Sequence, residues 1–287
     1  MGTKYCTYRV GGPIDESYFP TTSVEAASIF KKIDGPVTVL GGGANTIIAS
    51  RGIRGITVLT KRLMFAEPTF ELGAGMPLAR VATLAQDHGL SGAEFMIGVP
   101  GTLGGAIAMN AGAMGQETAN IIDFVWLYNL KSNDMEKWPK AKLDFAYRKS
   151  AIRPQEMIVL SAQLTFQPGE AAAIADLMQK SLKFRQQHHP KEPNGGSVFQ
   201  NPMPDQPAGR LLDELGAKGW TEGGAMVSPR HANFIVNTGH ATSTDILKLM
   251  LRMKQAIKAR YGYDVHPENR FVGEATEEEQ EIWSQLN

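Results

Sequence analysis

Between residues 98 and 115 the chain reads Gly-Val-Pro-Gly-Thr-Leu-Gly-Gly-Ala-Ile-Ala-Met-Asn-Ala-Gly-Ala-Met-Gly, with no charged side chain and almost no bulk. Gly98, Gly101, Gly104, Gly105, Gly112 and Gly115 each cost backbone entropy on folding. A chain sustains that cost where backbone must turn sharply or lie against a surface with no room for a Cβ. The run lacks charge, as a membrane span does, but the apolar bulk is missing, and Pro100 with the glycines argues against a free-standing helix. Two readings remain. One is a buried glycine-rich turn between core elements; the other is a shelf of backbone N–H groups for a large flat or phosphorylated ligand.

A second cluster favours the shelf. Val37-Thr38-Val39-Leu40 is a short apolar, β-branched run that reads as a buried strand. It leads directly into Gly41-Gly42-Gly43-Ala44-Asn45-Thr46, the arrangement by which a chain offers consecutive amides to a pyrophosphate. No Gly-Lys-Ser/Thr follows, so this is not a Walker loop, and Gly-x-Gly-x-x-Gly is absent, so it is not a Rossmann fingerprint. Two clusters of different spacing point to two parts of one long ligand.

Composition narrows the class further. The chain has 287 residues, enough for two or three domains, with 29 basic and 29 acidic side chains and a formal net charge of zero. Neither sign forms a block, which gives no support for a nucleic-acid partner or a membrane surface. A single cysteine, Cys6, excludes an intrachain disulfide framework and a cysteine-based metal site. No charged n-region with an apolar h-region opens the sequence, so the expectation is a cytoplasmic protein without membrane insertion.

In chain order, Thr22 and Glu25 have capping-box spacing ahead of an apolar face at Ala26, Ile29, Phe30 and Ile33. Strands are expected over 53–59 and near 70–75. Pro77 suits a helix start, with Leu78, Val81 and Ala85 as its stripe and Gly89 as its stop. Further strands are expected over 121–130 and 157–166, giving a mixed α/β or α+β first part. Beyond Gln167-Pro168-Gly169 the pattern predicts a helix through Ile174, Leu177, Met178, Ser181 and Leu182, another near 208–215, and a long one from Thr242 or Ser243. Its stripe is Ile246, Met250, Met253, Ile257 and Tyr261. Residues after Gly273 read as a tail or an accessory helix.

Several side chains could carry chemistry. Ser197 follows two glycines that let its hydroxyl face a cleft, although most such serines only bond locally. No Gly-x-Ser-x-Gly elbow surrounds it, which argues against a hydrolase nucleophile. Arg148 has an aromatic neighbour, Tyr147, and Glu268 follows His266-Pro267; the ordinary alternatives are a surface arginine and a solvated carboxylate. His188 and His189 are adjacent, a poor geometry for chelating one metal, and no metal is expected.

The ordered set of motifs resembles the UDP-N-acetylenolpyruvoylglucosamine reductase family of flavoenzymes. The matching pieces are Thr7-Tyr8-Arg9-Val10-Gly11-Gly12-Pro13, Leu40-Gly41-Gly42-Gly43-Ala44-Asn45, Gly98 to Ala106 with Met109 to Ala113, and Phe145-Ala146-Tyr147-Arg148-Lys149-Ser150. Gly196-Ser197-Val198-Phe199-Gln200-Asn201-Pro202, Gly224 to Ser228, His231-Ala232-Asn233-Phe234-Ile235-Val236-Asn237 and Pro267-Glu268 complete it. The absence of any tyrosine between Phe166 and Ser197 suggests the variant of that family without an extra tyrosine loop.

The resemblance implies an α+β protein. It would have an FAD-binding fold of the vanillyl-alcohol-oxidase type in two subdomains, 1–60 and 61–167, then a substrate-binding subdomain, 168–273, and a tail, 274–287. It implies non-covalent FAD, held by Gly41, Gly42, Gly43, Ala44, Asn45, Gly101, Thr102, Gly104, Gly105 and Asn110, with NADPH as hydride donor. The activity implied is reduction of UDP-N-acetylglucosamine enolpyruvate to UDP-N-acetylmuramate for peptidoglycan. Ser197 would donate the proton, Arg148 and Glu268 would support the enolic intermediate, and Tyr147, Asn201 and Lys191 would contact the UDP-sugar. The family usually has a basic residue where this chain has Gln200, and Lys191 or Lys218 could replace it. Oligomeric state stays open, with a monomer favoured. Another flavin-dependent oxidase of the superfamily is one alternative, which should lack the Gly196-Ser197 and Arg148 motifs; a non-catalytic nucleotide-sugar-binding protein is the other, separated from either enzyme by whether NADPH reduces the bound flavin.

Overall fold

The computed structural model describes residues 1–33 and 35–287. They form two compact units: Met1–Asp15, Gly43–Arg54 and His188–Asn287 make the first, Glu16–Gly42 and Gly55–Gln187 the second.

The second unit is built on an antiparallel sheet of four strands, in the order Asp134–Pro139, Ile122–Asn129, Met157–Leu164, Glu71–Gly73. Met157–Leu164 is buried along nearly its whole length, as its apolar run requires, and the helices Ser23–Lys32 and Leu103–Met109 pack on it. Leu72, Val125, Leu127 and Leu160 make its dry centre, and Phe30 meets Tyr128 with ring centroids 5.3 Å apart. Val37–Leu40 pairs in parallel with the end of Ile53–Leu59, Val37 opposite Ile56 and Leu40 opposite Leu59.

Local signals explain the helix ends. Thr22 caps Ser23–Lys32 by accepting from the Glu25 amide at 3.1 Å. The reciprocal half of the expected box is displaced: the Glu25 carboxylate accepts from the Thr21 amide at 2.7 Å and its hydroxyl at 2.9 Å. Leu78–Asp87 starts after Pro77, and Gly89 stops it at a φ of 65°. Between Phe166 and Ser197 the chain holds the short strand Gln167–Pro168, the helix Ala171–His188 and a loop, with no further folded insertion.

In the first unit the helix Ser243–Tyr261 is the central element. Thr242 and Asp245 form a complete capping box, and Gly262 ends the helix at a φ of 75°. Ile246, Leu247, Leu249, Met250, Met253 and Ile257 are buried, a wider face than the expected stripe. The antiparallel strands Thr221–Glu222, Ala225–Val227 and Ile235–Asn237 form a sheet, the first two lying against that helix. Separately, Thr46–Ile48 pairs in parallel with Arg270–Val272. No helix of the described residues is long and apolar enough to cross a membrane.

The segment after Gly273 is a helix, Glu277–Leu286, docked on Ser243–Tyr261. Its anchor is Glu279, fully buried, whose carboxylate accepts from the Ser50 hydroxyl at 2.6 Å, the Ser50 amide at 3.2 Å and the Thr244 hydroxyl at 3.2 Å. Lys254, also buried, donates to the Leu286 carbonyl at 2.7 Å. Hydrogen bonds to a buried charge contribute about 1.5–3 kcal/mol each, and truncation strands their partners. Glu279→Ala should therefore lower unfolding free energy by about 3 kcal/mol in urea melts, with Glu279→Gln recovering part of it. A loss no larger than that of an exposed carboxylate would show that Glu279 is not the anchor.

Candidate active site

The two glycine clusters, separate in sequence, touch in the second unit. A Cβ built on Gly41 would lie 2.5 Å from the Thr102 Oγ1, and one on Gly42 would lie 3.1 Å from the Gly101 Cα. Only glycine lets these turns approach so closely. Behind them the chain entering Leu103–Met109 is fixed by main-chain bonds, Leu103 N to Met76 O at 2.9 Å and Gly104 N to Ala74 O at 2.8 Å. Gly104 has no room for a side chain, since its Cβ would meet that of Ala74 at 2.9 Å. Gly105, next along, is exposed on an otherwise mostly buried helix.

Thr102 occupies the N-cap position of this helix, yet its side chain makes no capping bond. Its hydroxyl is buried and has no hydrogen-bond partner among the described residues. A hydroxyl without an acceptor, flanked by main chain that excludes Cβ atoms, fits a phosphate-bearing cofactor. Gly43, in the first unit, is required for a different reason: with a φ of 63°, its Cβ would fall 2.0 Å from the Tyr5 carbonyl.

Arg148 is presented by a tight turn in the second unit. Ala146 and Lys149 exchange both main-chain bonds at 3.0 Å, leaving Tyr147 and Arg148 as the two loop residues. Arg148 has a φ of 55°, a left-handed conformation that costs a non-glycine residue about 1 kcal/mol or more. Surrounding bonds hold it there. Asn110, buried at a φ of 43°, donates to the Ala146 carbonyl at 3.0 Å and accepts from the Ala119 amide at 3.0 Å. The Ser150 hydroxyl donates to the Ala108 carbonyl at 3.0 Å. The Arg148 guanidinium donates to the Gly112 carbonyl at 3.2 Å and lies 5.0 Å from the centroid of the half-exposed Tyr147 ring. Asn110, expected at the cofactor, thus has both ends of its amide bonded to main chain.

Ser197 and Glu268 are brought together in the first unit. Gln200 N donates to His266 O at 3.0 Å and Glu268 N to Val198 O at 2.7 Å, so the two segments pair antiparallel across the Phe199–Pro267 bridge. Asn233 backs the same stretch like a strand, accepting from Val198 N at 2.9 Å and bonding both ways with Phe199 through its side chain, at 3.0 and 2.9 Å. Ser197 is half-buried. Asn45 donates to the Glu268 carbonyl at 2.8 Å.

The other candidates separate. Asn201 Oδ1 accepts from the Ala208 amide at 3.1 Å, where the helix Ala208–Glu214 begins. Lys218 is paired with Asp213 at 2.8 Å, whereas Lys191 is exposed on the loop before Ser197. Cys6 is buried, donates to the Val10 carbonyl at 3.3 Å, and burial pushes its thiol up. Among the described residues no three His, Cys, Asp or Glu side chains gather in a way that could hold a metal ion. The buried amides of Asn233 and Asn269 were not singled out by sequence; an asparagine inside an otherwise apolar run, as in Ala232 to Val236, is the signal that marks the first.

Comparison with known proteins gives these features their class. Residues 19–129, which carry both glycine clusters and the Thr102 turn, match the FAD binding domain family, so the fold is the FAD-binding fold of the vanillyl-alcohol-oxidase type and the chain is an FAD-dependent oxidoreductase. Residues 187–272, with Ser197 and Glu268, match the family described as UDP-N-acetylenolpyruvoylglucosamine reductase, C-terminal domain. Curated relatives of that name include one from Synechococcus elongatus, 38% identical over 94% of this chain and 92% of its own, and one from Heliobacterium modesticaldum, 35% identical over 95% and 89%. The crystal structure of the reductase from Thermus caldophilus superposes with a TM-score of 0.83 at 31% identity, covering 94% of this chain and 97% of that one.

The chain belongs to the UDP-N-acetylenolpyruvoylglucosamine reductase family. Its reaction is the NADPH- and FAD-dependent reduction of UDP-N-acetylglucosamine enolpyruvate to UDP-N-acetylmuramate, a step in peptidoglycan synthesis.

Two expectations follow from this geometry. Thr102→Val removes a buried hydroxyl that has no partner among the described residues, so the FAD-free protein should be as stable as the parent or more so. Its FAD dissociation constant should rise about tenfold, the equivalent of one hydrogen bond. Unchanged affinity in a flavin titration would remove Thr102 from the cradle. Arg148→Gly should be more stable than Arg148→Ala by about 1 kcal/mol in urea melts, because glycine accepts the left-handed turn. Equal stabilities would mean that the turn carries no strain.

Proposed function

We propose that Ser197 is the proton donor of this reaction, that Arg148 holds the substrate carboxylate, and that Glu268 supports the enolic intermediate beside Ser197. The chemistry supplied by FAD when bound is relay of a hydride from NADPH to the methylene carbon of the enolpyruvyl ether. Charge then spreads from the adjacent carbon onto the carboxylate, and a guanidinium held in a fixed turn is suited to binding that carboxylate through two N–H groups. The carbon next to the carboxylate must gain a proton. Ser197 has the right chemistry, a half-buried hydroxyl that follows two glycines. The observation that carries the reading is the pairing of the Ser197 and Glu268 segments, Glu268 N to Val198 O at 2.7 Å, inside a stretch that matches the family.

The glycines at 41–43, 101, 104 and 105, with Ala44 and Thr102, make the cofactor cradle in this reading. Asn45 and Asn110 are assigned to the same cofactor, with side chains that bond the Glu268 and Ala146 carbonyls. Tyr147, Asn201 and Lys191 are proposed to meet the UDP-sugar. Residues 1–60 and 61–167 serve FAD, 168–273 the substrate, and 274–287 closes the chain as an accessory helix. We place the enzyme in the cytoplasm, as a monomer.

Ser197→Ala tests the central assignment. Because hydride reaches the flavin before the serine is needed, FAD content and the NADPH half-reaction should stay near those of the parent. The half-reaction with the enolpyruvyl substrate should slow by about 10²–10⁴-fold, the range for a positioned general acid. Ser197→Cys should recover part of the rate. Rapid mixing resolves the two halves, and equal slowing of both would assign Ser197 a packing role instead.

A further inference from the structure

Asn269 has no part in the chemistry above, yet it ties together the segments that carry it. It is 2% exposed. Its Nδ2 donates to the Asn45 Oδ1 at 2.7 Å, the Gly195 carbonyl at 2.8 Å and the Ser197 carbonyl at 3.2 Å, while its Oδ1 accepts from the Tyr8 hydroxyl at 2.9 Å. Asn45 continues the chain of bonds, its own Nδ2 donating to the Glu268 carbonyl at 2.8 Å. One side-chain amide therefore reaches the main chain of Ser197 directly and that of Glu268 through one intermediary.

The sense of that amide is fixed by its surroundings. Two of its three acceptors are main-chain carbonyls, which cannot donate. Tyr8 is fully buried, and burial pushes its phenol up, so the hydroxyl keeps its proton and donates. Turning the amide over would set its oxygen against two carbonyls and its N–H groups against the phenol. Tyr8 is itself immobilised: a Cβ on Gly195 would come within 2.1 Å of its ring, and Asn237 donates to its carbonyl at 2.9 Å.

This matters most at the serine. Gly195 and Gly196, the latter at a φ of 77°, leave the approach to Ser197 intrinsically soft. The pairing with residues 266–268 begins only at Val198. Ahead of it, the bond from the Gly196 amide to the Asn194 Oδ1 at 2.9 Å and the two from Asn269 hold the turn.

We infer that Asn269 is a positioning residue, which through one buried amide fixes the main chain of Ser197 and, by way of Asn45, that of Glu268, with Tyr8 holding the amide in its working sense. The inference rests on the reading of Ser197 as proton donor. A misplacement on the order of 1 Å costs about 10²-fold in a positioned reaction, so the effect belongs to the proton-transfer half alone.

The test uses the holoenzyme with Asn269→Leu, Tyr8→Phe, Ser197→Ala and the Asn269→Leu/Ser197→Ala pair, each followed by rapid mixing in H2O and D2O. NADPH-driven flavin reduction should stay within about twofold of the parent in Asn269→Leu and Tyr8→Phe. The substrate half-reaction should slow about 10²-fold in Asn269→Leu and about tenfold in Tyr8→Phe, with a larger solvent isotope effect in both. In the Ser197→Ala background Asn269→Leu should cost less than about threefold, because no donor remains to be misplaced. Fully additive costs beside a slowed Ser197→Ala overturn the inference alone; a parent rate in Ser197→Ala overturns the reading beneath it. Should Asn269→Leu fail to fold, Tyr8→Phe decides: an unchanged rate and isotope effect overturn the inference.

Discussion

The cofactor cradle proposed above depends on two glycine turns that meet with little more than the Thr102 side chain between them. A Cβ on Gly41 would meet the Thr102 hydroxyl at 2.5 Å, and one on Gly42 would crowd the Gly101 Cα at 3.1 Å. Such a contact offers N–H groups and Cα hydrogens to a ligand in place of side chains, and it works only if both turns are held from behind. The strand pairing of Val37–Leu40 holds one, and the bonds from Leu103 and Gly104 to Met76 and Ala74 hold the other. Glycine has two uses in this chain: close approach at these turns, and left-handed backbone at helix ends such as Gly89 and Gly262.

The chemical groups are fixed by a comparable economy of means. Arg148 sits in a conformation its side chain disfavours, kept there by Asn110 and Ser150 through carbonyls at either end of the same short helix and turn. Ser197 and Glu268 are ordered by a two-rung ladder and by buried amides on either side of it. In both places asparagine does what a strand or helix neighbour would do elsewhere, matching a donor and an acceptor with one rigid group. If these three side chains act as proposed, the reaction gains much of its advantage from such restraint before substrate arrives.

How much of this was legible in the sequence varied with distance along the chain. Helix ends were readable because caps are local: Thr22, Pro77, Thr242 and Gly262 stand where the pattern places them. The long buried strand Met157–Leu164 and the glycine clusters were readable for the same reason. The Thr46–Ile48 and Arg270–Val272 pair was not, since three-residue strands carry no periodicity and their partners lie at opposite ends of the chain. Asn269 was hidden likewise, its partner Asn45 being 224 residues away. The left-handed turn at Arg148 left no trace either, because no glycine marks it. Resemblance to a family supplied the roles of Ser197, Arg148 and Glu268; the residues that hold them in place had to be found in the structure.

The route of the chain through the first unit sets an order on its biosynthesis. Thr46–Ile48 cannot find its parallel partner until Arg270–Val272 has been made, and Ser50 waits longer still for Glu279. The stretch Gly55–Gln187, by contrast, is continuous and carries nearly all of its own sheet and core. During synthesis that stretch can condense, and residues 7–13 can bond to 43–53, while Thr46–Ile48 still lacks its parallel partner. A chain halted before residue 270 would therefore hold one finished body beside a strand that has nothing to pair with on its open side.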